Sequence, residues 1–301
     1  MRTMTRIREL RAALARYRAD GERVGFVPTM GALHEGHLSL VDEARRRAER
    51  VVMSIFVNPL QFGPSEDFTR YPRDVTGDAA RAASREVDLL FTPATEEIYR
   101  PGATVQVVPR GLDGRWEGEV RPGHFAGVLT VVAKLLNIVQ PDVAVFGQKD
   151  IQQATLVRAM VRDLDFPVEV LVAPTVREAD GLAMSSRNAY LSADERLHAR
   201  VLSRALRCVR QAWLQRNVRD ADALAALGRA EIEREDGVRL DYFALVDADR
   251  LEPVKLADAA TRVIVAARVG RTRLLDNIIL GAGARDDLGP EPAAAAARGG
   301  T

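Results

Sequence analysis

Short apolar runs alternate with amphipathic stretches along the first two-thirds of the chain. Residues 6–18 carry a helical stripe, and residues 24–27 read as a short strand stopped by Pro28. Residues 35–50 place Leu38, Val41, Ala44 and Ala48 on one helical face. Residues 51–57 form a continuous apolar, β-branched run of the kind buried on both faces of a sheet. Residues 85–91, 105–108, 143–146 and 168–172 are further strand candidates, with helices at 127–139 and 151–163 between them. The alternation predicts the α/β class, a Rossmann-like parallel sheet with right-handed crossovers. Ligands of such sheets bind outside the carboxyl ends of the strands.

The rhythm changes after about residue 187. Ser192-Ala193-Asp194-Glu195 is a capping box that should start a long helix reaching Gln215. A helix over 221–234 and strands over 240–246, 262–269 and 274–280 follow, which predicts a smaller α+β domain. From Gly281 the chain turns to Gly, Asp, Pro and Ala, a composition expected to stay disordered. The expected domains are therefore 1–187, 188–284 and a tail at 285–301.

The 301 residues carry 43 basic and 42 acidic side chains, a formal net charge of +1. That balance gives no general attraction to nucleic acid or to a membrane surface, so anion binding must be local. The single cysteine, Cys208, excludes an intrachain disulfide and reads as a small residue on a helix face. The first residues are broken by arginines and a glutamate, unlike a signal peptide, and no apolar run reaches the ~18 residues of a membrane span. A cytoplasmic protein is expected.

Three clusters carry candidate chemistry. Pro28-Thr29-Met30-Gly31-Ala32-Leu33-His34-Glu35-Gly36-His37 joins a strand to a helix, where helix amides meet phosphate and glycines let a nucleotide approach the backbone. His34 and His37, three apart, share a face, and each such donor is typically worth about 3–4 kcal/mol in a transition state. A metal site and two unrelated surface histidines are the alternatives; His-Glu-Gly-His lacks the His-Glu-x-x-His spacing of zinc proteases. Gly147-Gln148-Lys149-Asp150 follows a strand, offering a lysine to phosphate and a carboxylate to magnesium, although alone it would read as a solvated turn. Met184-Ser185-Ser186-Arg187 offers hydroxyls, amides and a guanidinium to a triphosphate. No Gly-x-x-x-x-Gly-Lys-Ser/Thr loop is present, and Gly281-Ala282-Gly283 precedes no helix, so neither a P-loop nor a dinucleotide fingerprint is supported.

In that order, the three clusters resemble the nucleotidylyl-transferase and class I synthetase superfamily. The stretches 28–40, 54–64, 66–73, Arg121-Pro122-Gly123-His124-Phe125, 146–153, 174–188 and Arg271-Thr272-Arg273-Leu274-Leu275-Asp276-Asn277 closely resemble the pantothenate synthetase (pantoate–β-alanine ligase) family. The resemblance runs from about residue 4 to 282. It implies joining of pantoate to β-alanine with ATP through a pantoyl adenylate, releasing AMP and pyrophosphate, with no protein nucleophile.

By matching motif, Met30, Gly31, Ala32, Leu33, His34, Glu35, Gly36 and His37 surround ATP, with His37 as general acid and His34 on phosphate. Gly147, Gln148, Lys149, Asp150, Val176, Met184, Ser185, Ser186 and Arg187 complete the ATP residues, with Lys149 catalytic. Gln61 orients pantoate and then β-alanine, and Gln153 is its partner on pantoate. Mg2+ enters with ATP, with Asp150 as its candidate ligand. Arg121 and His124 are secondary candidates. A homodimer is expected partly from the resemblance and partly from the apolar strand 51–57 and its following loop, and the C-terminal domain is expected to act as a lid because the adenylate must be kept from water. Ser65 and Gln148 stand where the family more often carries asparagine and glutamate. The competing readings are another His-x-Gly-His nucleotidylyltransferase, which leaves Gln61 and Gln153 unexplained, and a non-catalytic nucleotide-binding module, which predicts loss of His34, His37 or Lys149.

Overall fold

The computed structural model describes residues 1–64, 66–281 and Leu288. It divides into two compact units, one made of Met1–Pro174 with Asp249–Leu251, the other of Thr175–Ala248 with the chain from Glu252 onward.

The first unit is built on β1 (Arg2–Met4), β2 (Val24–Thr29), β3 (Arg50–Ile55), β4 (Leu89–Phe91), β5 (Val143–Gly147) and β6 (Glu169–Ala173). All pair in parallel, in the order β1-β4-β3-β2-β5-β6. The helices are α1 (Ile7–Ala19), α2 (Glu35–Arg45), α3 (Val75–Ser84), α4 (Thr95–Ile98), α5 (Glu117–Val120), α6 (His124–Val139) and α7 (Ile151–Asp163). On β3, Val51, Met53 and Ile55 join a core with Leu40, Val41 and Ala44 of α2 and Ala82 of α3. Val52, on the opposite face, is just as completely buried. Covering of both faces explains why Val51, Val52 and Met53 are apolar in succession instead of alternating. It also leaves this strand no surface for a partner subunit.

The sequence differs from the structure at four places. Pro28 does not stop β2: the strand continues to Thr29, pairing Pro28 with Ser54 and Thr29 with Ile55. Thr29 accepts the Phe56 amide, so Pro28 turns its nitrogen to the other side, where pairing with β5 has already ended at Phe26. A proline is tolerated there because no ladder bond is lost. Residues 85–88 do not belong to a strand, because α3 ends at Ser84 and Arg85 to Val87 turn back on Ala82 and Ala83 before β4. Residues 105–108 are not a strand either; Val105 and Val108 are exposed, and the Val107 amide is taken by the Thr130 hydroxyl. The capping box is present at Ser192, but the helix it starts, α8 (Ala193–Ala199), ends before α9 (Val201–Gln215).

In the second unit α8, α9 and α10 (Ala221–Glu233) cover an antiparallel sheet of β7 (Val238–Val246), β8 (Arg262–Val269) and β9 (Thr272–Ile279). Leu202, Leu206, Val209, Leu224 and Ile232 meet Phe243, Leu245, Val263, Val265 and Ile278 in its core. Cys208 lies half-buried on α9. Residues 175–187 belong to this unit: Arg177 forms an isolated bridge with Ala183 and a two-point ion pair with Asp276, at 2.6 and 2.9 Å. The expectation for 285–301 lies outside the described residues except at Leu288, which is buried in this core and whose carbonyl accepts from Arg207.

Candidate active site

The strand β2 delivers the His-x-Gly-His segment to the start of α2, at the carboxyl edge of the parallel sheet. His34 is the N-cap of α2, and the two histidines form a capping box. His34 Nδ1 accepts the Gly36 amide at 3.1 Å, and His37 Nδ1 accepts the His34 amide at 3.4 Å. A ring nitrogen that accepts carries no proton, so this pattern assigns the proton of each neutral imidazole to Nε2. The ring centroids lie 4.1 Å apart. Burial pushes the His37 imidazole down to about 3, helped by His34 and Lys149 and opposed by Asp150. A neutral His37 ring in this arrangement carries its donor at Nε2. A neutral ring of this tautomer can stabilise charge by a hydrogen bond from Nε2.

Lys149 and Asp150, on the short 3-10 turn after β5, both act electrostatically on the His37 ring. The first two clusters of the sequence thus meet in one place. Lys149 Nζ stands 3.7 Å from Asp150 Oδ1, with Lys149 mostly covered and Asp150 half exposed. Gly147 closes β5, and Gln148 beside it is buried. Gln153 sits one turn into α7, half-buried, with no hydrogen bond on its amide in the described residues. Asp150 is the carboxylate of this region, and no group of three metal-ligating side chains occurs among the described residues. That donor set suits a hard cation whose remaining ligands are phosphate oxygens and water.

Gln61 is buried at the end of a 3-10 turn that follows β3. Its Oε1 accepts from Asn58 Nδ2 at 3.1 Å, and its Nε2 lies 2.9 Å from the Met30 sulfur, a weak acceptor that a better one can replace. The Gln61 main chain is held independently. Its carbonyl accepts from His124 Nδ1 at 2.8 Å and from Arg121 at 3.3 Å, while Arg121 makes a two-point contact with Glu66 at 2.7 and 2.6 Å. Arg121 also donates to His124 Nε2, fixing the ring as the Nδ1–H tautomer. Burial, with Arg121 adding to it, pushes His124 down to about 4. Gly127 of α6 is required by close approach: a Cβ there would stand 2.2 Å from the Leu60 carbonyl oxygen.

Val176 and Met184 to Arg187 lie in the second unit. The Met184 amide bonds the Val176 carbonyl, and Ser185 caps the short turn Ser186–Tyr190 by accepting the Arg187 amide. Asn188 ties this segment back to Glu178 at 2.6 Å and to the Ala183 carbonyl at 3.1 Å.

Several residues that shape the site had no role in the sequence reading. Asn58 supports Gln61 directly, Tyr99 through Asn58 and Glu66 through Arg121. Gln152, buried beside Gln153, holds Leu112, Arg115 and Glu117 by their main chains. Asp78 binds the loop that carries His34. Asp78 lies on the same buried α3 stripe as Ala82, four residues on.

The model of the pantoate–β-alanine ligase family matches residues 2–279. A pantothenate synthetase of Acidobacterium capsulatum is 53% identical over 292 residues, covering 93% of this chain and 97% of that protein. One from Pseudomonas putida is 50% identical over 283 residues, covering 93% and 98%. Among solved structures, the pantothenate synthetase of Thermus thermophilus has a TM-score of 0.89 at 50% identity and covers 94% of this chain and 100% of its own. The pantoate–β-alanine ligase of Francisella tularensis, complexed with β-γ ATP and β-alanine, has a TM-score of 0.75 at 32% identity, covering 94% and 99%.

Proposed function

The chain belongs to the pantoate–β-alanine ligase family and condenses pantoate with β-alanine at the expense of ATP, and from that premise we propose that it does so in two steps through a bound pantoyl adenylate. In the first step a pantoate carboxylate oxygen bonds to the α-phosphorus and the bond to the β-phosphate bridge breaks, releasing pyrophosphate. In the second, the neutral amine of β-alanine bonds to the acyl carbon, AMP leaves with the bridging oxygen, and the amine proton passes to solvent. The observation that carries this reading is the convergence of His34, His37 and Lys149 at the start of α2, beside an amide-bearing pocket residue, Gln61.

Each residue has a chemical part in this reading. The two Nε2–H groups donate to phosphate oxygens as charge builds on them, and Lys149 adds a cation. The unbonded amide of Gln153 and the amide of Gln61, which gives up Met30 for an oxygen, fix the hydroxy acid in line with the α-phosphorus. In the second unit Ser185, Ser186 and Arg187 offer hydroxyls and a guanidinium of the kind that receive phosphate. Asp150 would hold the Mg2+ that accompanies ATP, and the ion would supply charge neutralisation on the phosphates.

The chain acts in the cytoplasm as a homodimer in this proposal, with neither nucleic acid nor membrane as partner. No helix of the described residues is long and apolar enough to cross a membrane. The dimer rests on the family resemblance, since 51–55 is consumed by the first unit's own core. Sedimentation showing only 33.0 kDa particles at micromolar concentration contradicts it.

The two-step order is tested by isotope transfer and exchange. Pantoate labelled with heavy oxygen in its carboxylate should pass one labelled atom to AMP. Pyrophosphate–ATP exchange should require pantoate and proceed without β-alanine. Label retained wholly in the amide product, or exchange that needs β-alanine, overturns the adenylate route.

A further inference from the structure

Asp78 is a buried carboxylate that the chemistry above does not use. It lies on α3 with 1% of its surface exposed. Its two oxygens accept consecutive main-chain amides of the loop before His34: Ala32 to Oδ2 at 2.8 Å and Leu33 to Oδ1 at 2.7 Å. No ion pair is made by Asp78 among the described residues. An ionised carboxylate taken out of water without a cation is expensive unless amides replace its hydration. The same stripe one turn on is filled by Ala82, fully buried, so an apolar residue would suit the packing of α3. Asp78 answers a need of the loop.

That need is conformational. Gly31 has φ +83° and Ala32 φ +51°, so two successive residues sit in the left-handed region. Ala32 pays a steric penalty there that glycine does not. Successive residues of this kind turn their amides into one concavity that fits an anion. The concavity here is filled by the Asp78 carboxylate, so closely that a Cβ on Gly31 would stand 2.8 Å from Oδ2. The chain then enters His34, whose amide binds His37 Nδ1 and whose Nδ1 binds the Gly36 amide. Where the 31–33 loop sits therefore sets where both Nε2–H groups point. Arg85, at the end of α3, joins the same two helices through Glu35 at 2.5 Å and Asp42 at 3.2 Å, but those pairs are largely exposed and weak.

We infer that Asp78 is a positioning residue for adenylation: its carboxylate clamps the Ala32 and Leu33 amides, holds the loop in its left-handed course and so aims the His34 and His37 donors. The inference rests on the proposed assignment of those histidines to the phosphate transition state. It separates Asp78 from the second step, which needs Gln61 and the bound adenylate.

The test uses the full-length enzyme and Asp78→Asn, a near-isosteric change that sets an NH2 group against one of the two amides. Pantoate-dependent pyrophosphate–ATP exchange should fall by about tenfold or more at saturating ATP, while the reaction of supplied pantoyl adenylate with β-alanine changes by less than about threefold. In a background lacking both rings, His34→Ala with His37→Ala, the same substitution should lower exchange by less than about threefold, because the clamp acts through those two rings. Hydrogen exchange at the Ala32 and Leu33 amides should quicken in the variant, while that of Val52 and Met53 in β3 stays as in the wild type. Should Asp78→Asn not fold, Asp78→Glu, which keeps the charge but displaces it, carries the same comparisons. Exchange within about threefold of wild type in a folded variant, equal loss in both half-reactions, or a full loss in the background lacking both histidines overturns the inference. Wild-type exchange that requires β-alanine instead strikes the two-step reading, and the amide-exchange and triple-variant results still judge the clamp.

Discussion

Asn58 gives one amide hydrogen to Gln61 Oε1 at 3.1 Å while its own oxygen takes the Tyr99 hydroxyl at 2.7 Å. Its second hydrogen goes to the Gly127 carbonyl at 3.1 Å, and the Leu60 amide also reaches its oxygen, at 3.3 Å. All four hydrogen-bonding positions of the Asn58 amide are therefore filled, which fixes its flip state and leaves Gln61 with its Nε2 turned to Met30.

Removing the Tyr99 hydroxyl should loosen that arrangement without breaking it. Tyr99→Phe loses one partly buried hydrogen bond, worth about 0.5–1.5 kcal/mol. We expect KM for pantoate to rise several-fold and KM for ATP to hold, since Asn58 contacts the Gln61 turn and no residue of the His-x-Gly-His loop. Steady-state kinetics with each substrate varied in turn checks this.

His37→Ala should leave the fold intact and slow adenylate formation by about a hundredfold or more, the scale of losing a preorganised donor. Because burial holds the ring near 3, adenylation should show no titration of His37 between pH 5 and 8. Single-turnover rates across that range, for wild type and variant, decide it. A step near pH 6.5 that vanishes in the variant would instead point to His37 as a general acid.

His124 makes stability depend on pH in a defined window. Its imidazole is held at about 4 in the folded chain and returns to 6.5 on unfolding. Between those values the unfolded chain binds more protons, so stability is full above 6.5 and falls as pH drops towards 4. His124→Gln should lower Tm at neutral pH by losing the bond to the Gln61 carbonyl, yet lose less on acidification. Thermal unfolding of both proteins at pH 7 and pH 4.5 measures the difference in slope.

In the second unit, Asp276→Asn should be strongly destabilising. It leaves the Arg177 guanidinium, 5% exposed, without its carboxylate, and breaking a buried pair from one side costs about 3–5 kcal/mol. Replacing both, with Arg177→Met and Asp276→Leu, should recover much of the loss. Denaturant unfolding of the single and double variants gives the comparison.

The parallel sheet was legible because its strands are apolar on both faces and its helices carry stripes, as at 51–57 and 35–45. α7 and β8 are legible to the residue. What failed was decided by partners remote in sequence. Pro28 looked like a stop because the end of pairing with β5, over a hundred residues away, cannot be seen from the proline itself. Residues 105–108 hold three valines, but the Val107 amide finds Thr130 instead of a strand. The His-x-Gly-His, Lys149 and Gln61 positions were readable from motif, and the structure brings the histidines and Lys149 together. Their supports were not: Asp78 lies more than forty residues from the amides it binds, and Tyr99 as far from Asn58. Leu288, a lone leucine among glycine, proline and alanine, gave no periodic signal of its burial.

If His34 and His37 meet phosphate as proposed, the paired histidine cap at the head of α2 makes the onset of a helix and the readiness of the enzyme a single event. The Nδ1 atoms that accept the first amides are unavailable for a proton, so every molecule whose first turn is wound presents both Nε2–H groups, and every frayed molecule presents neither reliably. Turnover should then scale with how often that turn is closed, and the exchange of one amide proton, that of Gly36, should count the competent fraction of the population.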